Sequence, residues 1–208
     1  KISRITVGQR DNPAWHLARR GRLTASNFGS VLKAKRVTPS LPKRLLAEYD
    51  LSRVKAVQRG VNHEEEAIKP SLEEGKTVKE TGIWFHSSSI LGASPDGIVD
   101  HETALEAKCP FSERNLTIDE AVQSSATFCL DKSDSREYVL KKEHVYWHQV
   151  QREMYFLSEN LVILFCGPQR MYLAVLKIER NESWAANIPL LTQVYLNYIF
   201  PKIVAGEW

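Results

Sequence analysis

Asp96 is followed ten residues later by Glu106 and, two beyond that, by Lys108, within the stretch SPDGIVDHETALEAK from Ser94 to Lys108. Ile98 and Val99 beside Asp96, and Ala104, Leu105 and Ala107 around Glu106, suit two strands joined by a turn at Asp100 to Thr103. Side chains two apart on a strand share a face, so Glu106 and Lys108 project together while Leu105 and Ala107 point the other way. The hairpin return carries Asp96 to the same end. Two carboxylates converging on one point repel each other unless a cation lies between them, and hard oxygen donors with open water positions suit Mg²⁺, with Mn²⁺ as a substitute. An ammonium beside such an ion orients or helps deprotonate an attacking water and neutralises charge that builds on a phosphate oxygen. The bland alternative is a surface hairpin whose Glu106 and Lys108 form an exposed pair worth ~0–1 kcal/mol.

Other blocks stand around this one in a fixed order. Trp15 to Ser26 reads W-x-x-x-R-x-G-x-L-T-A-S, Gly60 to Ala67 reads G-x-x-x-E-x-x-A, and Gln149 to Met154 reads Q-x-Q-x-x-M. With SPDG and LEAKCPF between them, these blocks resemble the PD-(D/E)XK nuclease superfamily and, within it, the lambda exonuclease and YqaJ-type viral recombinase family, from Trp15 to Met154. The resemblance implies a restriction-endonuclease-like core and a metal held by Asp96, Glu106 and the backbone carbonyl of Ala107. It also implies that Lys108 handles the nucleophilic water and that Glu64 comes in from a helix to ligate the same ion or a second one. Glu64 lies in the acidic run Glu64-Glu65-Glu66, and such runs are usually solvated faces; its position after Gly60 selects it over its neighbours.

Gln151 and Tyr155 lie four apart on an expected helix, hence on one face, and Q-x-x-x-Y there resembles the superfamily's site-orienting element. Gln149 is the competing glutamine, on nearly the opposite face. In the lambda exonuclease group a pocket beside the metal holds a 5′-terminal phosphate, and the residues that resemble its lining are Arg19, Ser26, Ser94 and Arg114. Two planar donor forks and two hydroxyls make sound phosphate chemistry, and Ser26 lies near an expected helix start, where N–H groups favour an anion. The competing reading makes Thr24 or Ser26 a helix cap and the arginines surface charges.

Charge is unevenly spread. Residues 1–60 hold 14 Lys/Arg against 3 Asp/Glu, although the whole chain carries only +3. That polarity implies a basic N-terminal surface tracking phosphates, with Lys33, Lys35, Arg36, Lys43, Arg44, Arg53, Lys55 and Arg59 as contacts independent of base sequence; a scattered solubilising surface is the alternative. The longest purely aliphatic and aromatic stretch, Leu161 to Cys166, fits a buried strand and is too short for a membrane span. No secretory pattern opens the chain. Three cysteines without a CxxC imply a reducing, intracellular compartment, cytoplasm or nucleus. His144 and His148 stand four apart as zinc ligands do, but no third ligand is evident nearby, which favours surface or supporting roles.

The elements that must position these groups follow from punctuation and periodicity. Asn12-Pro13 opens a helix to about Arg20. Further helices are expected over Ala25–Leu32, Pro42–Tyr49, Val57–Glu74, Glu143–Leu157 and Glu182–Ile199. Strands are expected over Thr77–Glu80, Ile83–Ser87, Gly97–Val99, Leu105–Cys109, Leu161–Cys166 and Met171–Ile178, with an exposed loop over Lys132–Arg136. The fold expected is a single α/β domain over residues 1–208, with a mixed central sheet flanked by helices. Together with the resemblance this implies an Mg²⁺-dependent 5′→3′ exonuclease on duplex DNA ends. An endonuclease or single-strand nuclease of the same superfamily, or a catalytically silent DNA-end-binding module, is the alternative. The resemblance further implies a homotrimer and a strand-annealing partner protein.

Overall fold

A computed structural model of the chain describes residues 2–38, 40–46, 77–99, 103–157, 161–169 and 172–207. Its strands are β1 (Leu23–Thr24), β2 (Val78–Lys79), β3 (Trp84–Phe85), β4 (Leu91–Ala93), β5 (Gly97–Val99), β6 (Thr103–Lys108), β7 (Leu130–Lys132), β8 (Tyr138–Leu140), β9 (Leu161–Gln169) and β10 (Tyr172–Glu179). Its helices are α1 (Ile2–Ile5), α2 (Pro13–Arg19), α3 (Ala25–Leu32), α4 (Ser40–Leu46), α5 (Ile118–Ser124), α6 (Val145–Leu157), α7 (Asn187–Val194) and α8 (Phe200–Val204). The expected helix over Val57–Glu74, Glu64 included, lies outside the described residues.

The widest sheet runs β10-β9-β6-β5-β2. β6 sits at its centre, antiparallel to β5 and parallel to β9, so the sheet is mixed as expected. A strand with both neighbours paired and both faces covered tolerates little polarity: Ala104, Leu105 and Ala107 are fully buried, and Glu106 is buried with them. A second sheet, β1-β4-β3, has β1 parallel to β4. It brings the segment after α2 against the strand that leads into Ser94.

Two apolar clusters hold the layers together. Ala104, Met154, Val150 and Ile178 fill the space between the wide sheet and α6, and Leu23, Phe28, Leu91, Trp184 and Leu191 join α3, β4 and the C-terminal helices. α3 crosses α6 at Gly29, where a Cβ would stand 2.6 Å from the Val145 Cα. Only hydrogen fits there.

Several boundaries differ from those expected, each for a local reason. Thr117 and Glu120 form a capping box that starts α5, a helix not among those expected, after the turns that follow β6. The stretch around Lys132–Arg136 is the turn of the β7–β8 hairpin. Glu182–Ile199 is not one helix. A 3₁₀ turn (Glu182–Ala186) precedes α7, and a π-helical turn (Tyr195–Ile199) follows it. Pro201 has no N–H to give the Asn197 carbonyl, and the Phe200 N–H instead reaches back five residues to Tyr195 before α8 starts.

Candidate functional site

Asp96 enters from the residue just before β5. Its N–H donates to the Leu105 carbonyl at 3.0 Å, which continues the β5–β6 ladder by one step and turns the side chain toward β6. There its Oδ2 accepts the Ala107 N–H at 2.7 Å. Glu106 and Lys108 project from one face of β6, as alternation requires, and the Lys108 ammonium donates to Glu106 Oε1. Their side chains are 2% and 16% exposed, so the pair is largely withdrawn from water.

Helix α6 closes the other side with Gln149, whose Nε2 donates both to Glu106 Oε1 and, at 3.1 Å, to Glu153 Oε1. Gln149 and Glu153 are one turn apart and so share the face turned to the carboxylates. The expectation for Gln151 and Tyr155 is corrected here. They do share a face, but it turns toward the chain after β10: Gln151 donates to the Glu179 carbonyl at 3.0 Å and accepts the Asn181 N–H at 2.7 Å, while the Tyr155 hydroxyl donates to the Asn181 carbonyl at 2.7 Å. Gln151 is fully buried. Its amide satisfies backbone groups, and Gln149 is the glutamine that meets the acids.

Charges this close and this dry shift one another. Burial, then the charges of Asp96 and Glu153, hold the Glu106 carboxyl well above the usual carboxylate range, against the pull of Lys108. Burial raises Asp96 as well, opposed by Lys108, the Ala107 N–H and Arg10. Burial with a contribution from Asp96 pushes Glu153 up to about 8, although Lys108 and the Gln149 N–H draw it down. Burial alone would lower Lys108, but Glu106 and Asp96 outweigh it and hold the ammonium charged.

Oε2 of Glu106 and Oε2 of Glu153 are buried without a hydrogen-bond partner among the described residues. Mutually repelling acids with orphaned oxygens are a fit for a divalent cation. No three His, Cys, Asp or Glu side chains stand as a complete cage among the described residues. One or two carboxylates with water is the usual donor set for Mg²⁺.

A second cluster adjoins the first through Ser94, two residues before Asp96. The Trp15 indole donates to Ser94 Oγ at 2.9 Å, and the Arg19 guanidinium lies over the Trp15 ring at 4.1 Å. Arg19 also reaches Thr24 Oγ1 at 3.3 Å, and Thr24 Oγ1 meets Ser26 Oγ at 3.5 Å. Arg19, Ser26 and Ser94 are therefore brought together, with Trp15 and Thr24 as the links. Burial lowers the Arg19 pKa to about 10, which leaves the guanidinium charged at neutral pH. Gln9 braces the loop from behind, donating to the carbonyls of Pro95 at 2.7 Å and Thr81 at 3.1 Å. Arg114 is not in this cluster. It folds over the Phe111 ring at 4.1 Å and donates to the Phe111 carbonyl at 2.9 Å.

A sequence profile of the YqaJ-like viral recombinase domain matches residues 14–157. The chain belongs to this family. The matched span contains every element that positions the two clusters except β9 and β10. An alkaline nuclease of Orgyia pseudotsugata multicapsid polyhedrosis virus is 24% identical over 201 residues, covering 88% of this chain and 46% of that protein. The chain thus spans about half the length of this relative. Among solved structures, an alkaline exonuclease from Laribacter hongkongensis superposes with a TM-score of 0.67 at 23% identity, covering 93% of this chain and 95% of the other. A SOX–DNA complex superposes with a TM-score of 0.60 at 11% identity, covering 97% and 69% respectively. These likenesses establish the fold as that of the PD-(D/E)XK exonucleases.

Glu153 was missed in the sequence because a buried acid is the exception to expectation. Its spacing of four from Gln149 was the signal that could have found it. Lys33, Lys35 and Arg36 are exposed just after α3.

Proposed function

We propose that this chain is a divalent-metal-dependent deoxyribonuclease acting as a 5′→3′ exonuclease on duplex DNA ends. The observation that carries the reading is the convergence of Asp96, Glu106 and Lys108 at one end of β5 and β6, with Oε2 of Glu106 lacking a hydrogen-bond donor among the described residues. Asp96 and Glu106, with the Ala107 carbonyl, would hold Mg²⁺ or Mn²⁺. A divalent ion there supplies Lewis acidity toward the scissile phosphate.

The chain's own groups do the rest. Lys108 orients or helps deprotonate the attacking water and neutralises charge on a phosphate oxygen. Gln149 holds Glu106 from the α6 side. Arg19, Ser26 and Ser94 receive the terminal 5′-phosphate, and because Ser94 and Asp96 are joined through Pro95, that anchor sets which phosphodiester meets the metal. Arg114 joins them only by leaving Phe111. Relatives named as an alkaline nuclease and an alkaline exonuclease, and a relative of known structure bound to DNA, support the reading.

The test is digestion of linear duplex bearing 5′-phosphate or 5′-hydroxyl ends, beside covalently closed circles, in Mg²⁺ and in chelator. The expected result is degradation of the 5′-phosphorylated linear duplex only, dependent on Mg²⁺ and abolished in Lys108→Met. Circles cut at the same rate refute the exonuclease; binding to ends with no hydrolysis in any metal replaces the enzyme with a binding module. Sedimentation of the same preparation tests the trimer.

A further inference from the structure

We infer that Glu153 is a positioning residue for Glu106, acting through the amide of Gln149, in the metal-dependent centre proposed above, on which this inference rests. A primary amide nitrogen has two hydrogens. In Gln149 one goes to Glu106 Oε1 and the other to Glu153 Oε1. With both hydrogens spent on carboxylates, the amide is fixed nitrogen-first toward the site. Glu106 Oε1 is thereby held by Lys108 and Gln149 together, and Oε2 is the oxygen left to face an ion.

A carboxyl at position 153 is costly where it stands. Its side chain is fully buried, where an apolar one of similar length would fill the same space without the desolvation cost. The charge of Glu153 supports the buried Arg152 guanidinium, but no hydrogen bond joins the two. The guanidinium of Arg152 lies between the rings of Phe28 at 3.5 Å and Phe156 at 3.9 Å, and none of its nitrogens has a hydrogen-bond partner among the described residues. Among the described residues Glu153 Oε1 takes the Gln149 N–H, and the Glu153 carboxyl also meets that of Glu106, so both of its contacts lead to the site. Groups one step removed from a metal ligand orient it and typically change metal affinity or activity about 10–100-fold when lost.

The experiment is calorimetric titration of Mn²⁺ into wild type, Glu153→Met, Glu153→Gln, Gln149→Met and the Gln149→Met, Glu153→Met double variant, with kcat and KM on 5′-phosphorylated duplex alongside. Glu153→Met removes the acceptor; Glu153→Gln keeps an oxygen that can still take the Gln149 N–H. The expected result is Mn²⁺ binding weakened about 10–100-fold in Glu153→Met, with kcat reduced and the KM for DNA unchanged. Glu153→Gln rescues to within a few-fold, and Glu153→Met adds nothing once Gln149 is Met. Equal losses in Glu153→Gln and Glu153→Met, additive losses in the double variant, wild-type binding by Glu153→Met, or its failure to fold each overturn the assignment. A wild-type protein that neither binds Mn²⁺ nor cuts DNA removes the nuclease reading itself, a result distinct from any of these.

Discussion

Replacing Lys108 by Met should expose how the acidic centre is balanced. Glu106 is 2% exposed and its ammonium partner 16% exposed, so the change strands an acid in a low-dielectric site. Removing one member of a buried pair costs ~3–5 kcal/mol when the other stays charged. Glu106 has an escape, which is to take up a proton. Its folded pKa already lies well above the ordinary value of 4.5 through burial, Asp96 and Glu153. A carboxyl raised on folding keeps a proton that the unfolded chain has lost, so stability falls as pH rises above the unfolded value, until the folded form ionises too. Lys108 pulls that folded pKa down, and its loss prolongs the fall toward higher pH. Urea unfolding in chelator should therefore find Lys108→Met within ~1 kcal/mol of wild type at about pH 5 and ~3–5 kcal/mol less stable at about pH 8.5. Excess Mg²⁺ should return ~2.7 kcal/mol at a hundred times its dissociation constant. A penalty that is the same at both pH values, or absent at both, would refute the account of Lys108 as the counter-charge to Glu106.

The two glutamines of α6 should separate cleanly. Gln149→Ala should lower kcat about 10–100-fold and, by taking the donor from buried Glu153, also cost ~1–3 kcal/mol, whereas Gln151→Ala should cost ~1–3 kcal/mol in urea unfolding by orphaning the Asn181 N–H and the Glu179 carbonyl, with cleavage per folded molecule kept. Reversed outcomes would return the site to Gln151. Arg19→Ala should erase the preference for a 5′-phosphate over a 5′-hydroxyl end in competitive digestion, by about tenfold or more, since charged hydrogen bonds are worth ~1.5–3 kcal/mol; an unchanged ratio removes the Arg19, Ser26 and Ser94 cluster from the account. Gly29→Ala, whose Cβ would meet the Val145 backbone at 2.6 Å, should force α3 and α6 apart and lower stability by ~1–3 kcal/mol, and an unaltered midpoint would deny that close crossing.

The strand chemistry of the site was legible in the chain because a period of two leaves little choice. Once Glu106 and Lys108 lie on one strand they face the same way, and the antiparallel pairing of β5 with β6 brings Asp96 alongside. Helical periodicity is weaker in kind. It told correctly that Gln151 and Tyr155 share a face, but whether that face or the one bearing Gln149 looks inward is decided by the sheet, and α6 is buried almost all round, from Gln149 to Met154. With no polar side to orient it, the helix gave no sign of its rotation. Glu153 was hidden for the same reason, because acids are normally assigned to water. The capping box at Thr117 and the proline at position 201 were readable features whose local effects went unread, and Arg114 shows that a motif position does not fix a rotamer: the neighbouring Phe111 holds it.

The central place of β6 governs when the site can exist at all. Ala104 to Lys108 run beside Val162 to Cys166, a partner made much later in synthesis, and such distant pairing waits on the closure of a long loop. A nascent chain still short of β9 has Asp96, Glu106 and Lys108 in hand but no inner edge to hold their strand, and it also lacks the residues after β10 that anchor α6 through Gln151. In the finished protein, amide exchange at Glu106 and Ala107 should then be among the slowest to appear, because releasing them means unzipping the middle of the sheet.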